Sequence, residues 1–234
     1  VTAAFTDRWN GVLAAFAPER PPVKDAFRVH GRRVLYNSAA GYHSTFRSNF
    51  FTSDHCFVGP LVREEVLPEN FAAWREKQDN RPQVYVALGT FLSHRSDVLI
   101  GIGKALRKVG ARAAIAIGSM PKNELGPIPD DWLVARELPQ VAMLQYADLA
   151  IHHGGNNSVQ ECLAAGIRQL VLPFSTDQFA NAADLARVGV ASVLAPNEMT
   201  IAALAEAVVA RLDAPLPTVQ PVKTQADIIQ LLFE

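Results

Sequence analysis

A chain of 234 residues with 49% hydrophobic and 19% charged side chains can bury a sizeable core, which excludes a disordered protein. Its formal net charge of −1 excludes the basic bias of a nucleic-acid binder or of a protein held on an anionic membrane. No apolar run approaches the roughly 18 residues that cross a bilayer and no signal peptide is visible; the two cysteines, Cys56 and Cys162, lack metal spacing and point to a reduced, cytoplasmic setting.

The first residue is Val1, so the sequence reads as an excerpt of a longer protein. Apolar side chains at helical intervals, among them Phe5, Trp9, Leu13 and Phe16, predict a helix over residues 3–16. Pro18 and the Pro21-Pro22 pair end it. Residues 34–36 and 56–58 predict short strands, joined by an irregular segment. Phe27, Phe46, Phe50 and Phe51 are an excess of aromatics for so little regular structure. Residues 58–82 carry prolines and charges, with one short helix around 71–77, and read as a linker.

Beyond Pro82 the pattern becomes regular. Strands are predicted at 84–88, 112–117, 134–136, 147–151, 169–172 and 191–194. Helices are predicted at 97–109, 141–146, from about Asn157 to Ala165, at 177–188 and at 200–212, with Thr200 as a cap. Alternation of this kind implies a parallel sheet covered on both faces, with the loops after the strands gathered at its carboxyl edge.

The central stretch is Ile151-His152-His153-Gly154-Gly155-Asn156-Asn157-Ser158. Strand, glycine turn and helix N-terminus make an anion site, because the first helix amides lack intrahelical acceptors and carry the positive end of the macrodipole. A plainer reading stands beside it: Ser158 and Glu161 have the spacing of a capping box. Three other motifs are set aside. Gly101-Ile102-Gly103-Lys104 lies inside a helical pattern rather than after a strand, so it is helix packing and not a nucleotide loop. His152 and His153 point to opposite sides of an extended segment and have no further ligand at metal spacing. The G-x-S-x-G of a serine hydrolase is absent.

Three stretches in order, Glu137-Leu138-Pro139-Gln140-Val141-Ala142-Met143-Leu144, then His152 through Glu161, then Pro173-Phe174-Ser175-Thr176-Asp177-Gln178-Phe179-Ala180-Asn181-Ala182, resemble the donor-binding signature of GT-B glycosyltransferases. The branch is that of the UDP-glucosyl- and UDP-glucuronosyltransferases and the bacterial natural-product enzymes. The looser similarity runs from Phe57-Val58-Gly59-Pro60 to the C-terminus. The resemblance implies an α/β fold: a Rossmann-like parallel sheet, the C-terminal domain of such an enzyme, plus the tail of its N-terminal domain. By it, His153 and the amides of Gly155, Asn156, Asn157 and Ser158 would hold a diphosphate, with Thr90 approaching it. Glu161 would accept from ribose hydroxyls, Gln140 and the Leu138 backbone would meet the base, and Asp177 and Gln178 would read the transferred sugar. Asp177 could instead cap its helix; Asn181 would order the loop, and His152 would be structural. Glu137 stands where plant members carry a stacking Trp, and Asn156 where the family has an aromatic, which favours the bacterial side and leaves uracil or thymine open.

The same resemblance implies residues 1–57 as the remnant of an acceptor domain, 83–213 as the donor domain and 214–234 as a tail whose amphipathic 225–233 crosses back. It implies inverting, metal-independent transfer from a UDP- or dTDP-sugar to a small-molecule hydroxyl, with no bound cofactor and no general base in this chain. The chain alone would bind donor and transfer little. Two other readings are a non-catalytic subunit of a split glycosyltransferase and a sugar-nucleotide epimerase of related fold; homodimerisation is left open.

Overall fold

The computed structural model describes residues 2–28, 33–38, 40–44, 49, 51–76, 80–89, 95–218 and 222–233. Six parallel strands form its main sheet: β3 (Gln83–Ala87), β4 (Arg112–Ala116), β5 (Leu133–Ala135), β6 (Leu149–His152), β7 (Arg168–Val171) and β8 (Ala191–Val193). Their order is β5-β4-β3-β6-β7-β8. The chain builds outward from β3 to one edge, returns, and builds outward from β6 to the other. Strand order therefore reverses between β3 and β6, which opens a crevice beyond their carboxyl ends.

The register is fixed by burial on both faces. Val84 to Ala87 pair with Ala113 to Ala116 on one side and with Leu149 to His152 on the other. All five residues of β3 are buried, as expected of a central strand in a covered parallel sheet. Alternate side chains enter different cores. Val84 and Val86 join Ile102, Leu106, Ile151, Leu204 and Val208, from helices α2 (Ser96–Lys108) and α6 (Ile201–Asp213) and from β6. Tyr85 and Ala87 join Trp74, Met143, Leu144 and Cys162, beneath α3 (Gln140–Leu144) and α4 (Asn156–Ala165). A third cluster sets α4 against α5 (Asp177–Arg187) through Val159, Leu163, Ala182 and Leu185.

Gly101 and Gly103 lie buried in α2, as the sequence implies. A β-carbon on Gly101 would stand 2.7 Å from the Met199 terminal methyl, so the small residue allows the close packing there. Thr200 caps α6 as expected, accepting the Ala203 N–H at 3.1 Å. Two other helix starts differ from expectation. Helix α4 begins at Asn156 with Gly155 as its N-cap and no side-chain cap bond, so Ser158 and Glu161 are interior residues and the capping-box reading is wrong. Helix α5 has Thr176, not Asp177, at its N-cap.

Ahead of the sheet, α1 (Thr2–Phe16) matches its predicted span, and β1 (Val34–Tyr36) pairs in parallel with β2 (His55–Phe57). Tyr36, Phe51, Phe57 and His43 form a ring cluster with centroids about 5 Å apart, while Phe27 stacks on Phe5. Phe46 and Phe50 lie outside the described residues. The short helix expected around 71–77 is a 3-10 segment, Glu69–Trp74. It packs onto the sheet: Trp74 is buried and donates its indole N–H to the Met143 carbonyl at 3.1 Å. Helix α7 (Gln225–Phe233) closes the chain. Among the described residues no helix is long and apolar enough to cross a membrane, and Cys56 and Cys162 are free thiols.

Candidate functional site

Two cavities meet at Gly89, beyond the carboxyl ends of β3 and β6. The first, about 550 Å³, is walled by Leu88, Gly89, His153, the α4 start from Gly155 to Ser158, Ser175, Thr176 and Gln178. The second, about 360 Å³, lies over β3, β4 and β5 between Tyr85, Ser119, Arg136, Glu137, Leu138 and Gln140. Asn156, Asn157 and Ser158, whose amides precede the first intrahelical bond of α4, Val159 N–H to the Gly155 carbonyl, line the first cavity, and among the described residues no side chain caps them. Donors without acceptors, backed by a helix dipole, form an anion site.

His153 stands between two glycines. A β-carbon on Gly89 would approach its ring to 2.9 Å, and one on Gly155 would overlap Nε2. Gly89 also has φ +74°, a conformation that side chains rarely adopt. The two glycines thus clasp the imidazole at the cavity wall. Burial pushes its pKa below the ordinary 6.5, opposed by the Asp177 carboxylate and the Ala87 carbonyl. At neutral pH the ring is therefore an uncharged hydrogen-bonding group, and the positive field comes from the helix end. An anion seated beside it would raise the pKa again.

His152 points the other way and is structural. Its Nδ1 accepts the Gly154 N–H at 3.1 Å, which places the ring proton on Nε2, where it donates to Gln169 Oε1 at 2.9 Å. Gly154 itself has φ +87°, and a β-carbon there would meet Val171 at 2.9 Å. Asn181 orders the same turn by donating to the Gly154 carbonyl at 2.9 Å. The Gln178 side-chain oxygen accepts the N–H groups of Phe174 and Ser175 at 2.9 and 3.2 Å and so shapes the loop before α5. Thr176 holds φ 49°, the one positive φ outside glycine among the described residues, and its hydroxyl donates to Asp177 at 2.9 Å. Strained residues of this kind collect at functional sites.

Gln140 links the two cavities. Its amide donates to Ser158 Oγ at 3.3 Å and to the Glu161 carboxylate, and its oxygen accepts the Tyr85 hydroxyl at 3.2 Å. Of the residues expected from sequence, Leu138, Gln140, His153, Gly155, Asn156, Asn157, Ser158 and Gln178 line the two cavities. Glu161 stands behind that wall, bonded to Gln140 and to Arg63. Asp177 is on the exposed rim, and Thr90 lies outside the described residues. Sequence reasoning gave no role to Ser119 and Arg136, which sit beside the recognised motifs, to Ser175 and Thr176, which lie inside one, or to Arg63, which no local signal marks. Among the described residues no group of three or more His, Cys, Asp or Glu is placed to hold a metal ion.

The chain is 31% identical over 167 residues to the NDP-glycosyltransferase YjiC of Bacillus subtilis (strain 168), covering 71% of this chain and 41% of that protein. The glycotransferase of kitacinnamycin shares the fold, with a TM-score of 0.76 at 23% identity over 91% of this chain and 54% of that one. So does the spinosyn rhamnosyltransferase SpnG complexed with thymidine diphosphate, with a TM-score of 0.67 at 21% identity over 90% and 55%. The chain spans about half the length of these relatives. Residues 102–229 match the model of the erythromycin biosynthesis protein CIII-like C-terminal domain. The chain belongs to that family, on the fold of the C-terminal domain of GT-B glycosyltransferases.

Proposed function

We propose that residues 83–213 form the donor-binding unit of a glycosyltransferase and hold a UDP- or dTDP-sugar across the two cavities. The carrying observation is the uncapped start of α4 beside His153, open to a 550 Å³ cavity at the point where strand order reverses. The diphosphate sits on those amides, the base enters the second cavity against Leu138 and Gln140, and the ribose lies between them toward Glu161. The sugar then faces Ser175, Thr176 and Gln178. Thymidine diphosphate in the SpnG structure supports this class of ligand. In the whole enzyme the acceptor hydroxyl attacks the anomeric carbon opposite the diphosphate, with inversion and without a metal. The helix amides, and the imidazole as the departing charge grows, stabilise the leaving group.

Calorimetric titration with UDP, dTDP and their sugars tests the reading. His153→Ala removes a hydrogen bond to an anion, which is worth about tenfold to a hundredfold in affinity. Glu161→Ala is expected to weaken nucleotides but not pyrophosphate. Wild-type affinity in both folded variants overturns the assignment.

A further inference from the structure

Arg63 belongs to none of the motifs above. It lies between β2 and β3, 98 residues from Glu161 in sequence, yet its guanidinium meets Glu161 Oε1 at 2.9 Å. Its other terminal nitrogen meets Glu65 Oε1 at 3.1 Å. The second oxygen of Glu65 accepts the Ala142 N–H at 3.1 Å, in the first turn of α3. One three-residue stretch of chain, Arg63 to Glu65, therefore grips both helices of the site: α3, which presents Gln140, and α4, which presents Glu161. The Glu161 side chain is only 10% exposed, whereas that of Arg63 is 58% exposed. The arginine approaches from outside and covers a carboxylate held inside.

We propose that Arg63 is a positioning residue for nucleotide recognition, fixing Glu161 so that its remaining acceptor positions face the ribose. This rests on the donor-binding reading above. An ionised carboxylate offers about four acceptor positions, two on each oxygen. Arg63 takes one on Oε1 and Gln140 one on Oε2. One position is left on each oxygen, which matches the two vicinal hydroxyls of a ribonucleotide. Without the charged Arg63 donor on Oε1 the carboxylate rotates about its last side-chain bond, and both acceptors lose their aim. Gln140, a single neutral donor on the other oxygen, does not hold it. The segment carrying Arg63 is thereby coupled to occupancy of the ribose subsite.

The test is calorimetry on the full chain with UDP, 2′-deoxy-UDP, 2′,3′-dideoxy-UDP and pyrophosphate, for wild type, Arg63→Ala, Arg63→Lys, Glu161→Gln and the double variant Arg63→Ala with Glu161→Gln. Arg63→Ala is expected to weaken UDP by about threefold to tenfold, the scale of a part-exposed charged pair, and to leave dideoxy-UDP and pyrophosphate within twofold. Arg63→Lys recovers part of the loss, and Arg63→Ala has no further effect once Glu161 is Gln. Equal weakening of all four probes would mean a merely structural role and overturns the inference, as does unchanged UDP affinity. If wild type binds pyrophosphate but no nucleotide, the donor-binding reading itself fails and carries this inference down with it.

Discussion

Two neighbouring histidines show how much one residue of register decides. His152 and His153 leave the same strand end in opposite directions; one is sealed under the sheet edge and the other enters the cavity wall. Burial pushes the His152 pKa down to about 4 from 6.5, since its environment offers Gln169 and a backbone N–H and no carboxylate. The folded chain then holds this ring neutral, while the unfolded chain protonates it below 6.5. Stability is accordingly unaffected by this group above pH 6.5 and falls as pH drops from 6.5 to 4, by up to about 3 kcal/mol. Urea unfolding from pH 7 to pH 4.5 checks the sign. His152→Gln, whatever its own stability, is expected to show a shallower acid slope than wild type; parallel slopes would refute the burial argument. Gly89 and Gly155 act at the same scale. The sequence marks them as turn residues, but their use here is to leave room for an imidazole.

Among the elements, helix and strand types were legible from residue 83 onward, because a parallel sheet under helices alternates between short apolar runs and 3.6-residue periods. The helix starts were less legible. Ser158 and Glu161 imitate a capping box, yet α4 starts at Asn156, and what Glu161 actually bonds comes from Arg63 and from α3. Another long-range contact pins the N-terminal segment to α5. Asp184 accepts the Ser44 N–H at 3.1 Å and lies 3.7 Å from His43 Nδ1; Arg187 donates to the Tyr42 and His43 carbonyls at 3.0 and 2.8 Å. The Asp184 and His43 side chains are 9% and 11% exposed, so loss of the carboxylate leaves part-buried donors poorly satisfied. Asp184→Ala should cost about 2 kcal/mol and raise amide exchange in residues 40–44. Exchange unchanged there, with the sheet amides as reference, would show that other contacts hold the segment.

At the scale of the whole molecule, the crevice between β3 and β6 gathers loops that are distant in sequence, and the site is a property of strand order rather than of any one loop. Of the described histidines, His152 is sealed, His153 lines the first cavity, His43 is held against Asp184 and Ser38, and His55 bonds Thr52. The expected behaviour of the 234-residue chain is binding of a nucleotide sugar without measurable transfer to a small hydroxyl acceptor, read by chromatography of acceptor and product. Turnover by the chain alone would require an acid–base group that this reading does not contain.

What the sequence determined by itself is what local chemistry determines. Periodicity assigned the elements, the glycine turn between strand and helix pointed to an anion cradle with a capping box as the rival reading, and the ordered motifs from Glu137 to Ala182 assigned the family. What only the tertiary structure decided is which distant groups meet. Arg63 with Glu161, Asp184 with Ser44, and the two glycines around His153 join residues whose sequence separation carries no periodic signal. Such pairs come together only once the strand order is set, because packing of the sheet, and not any local preference, brings their backbones within bonding reach.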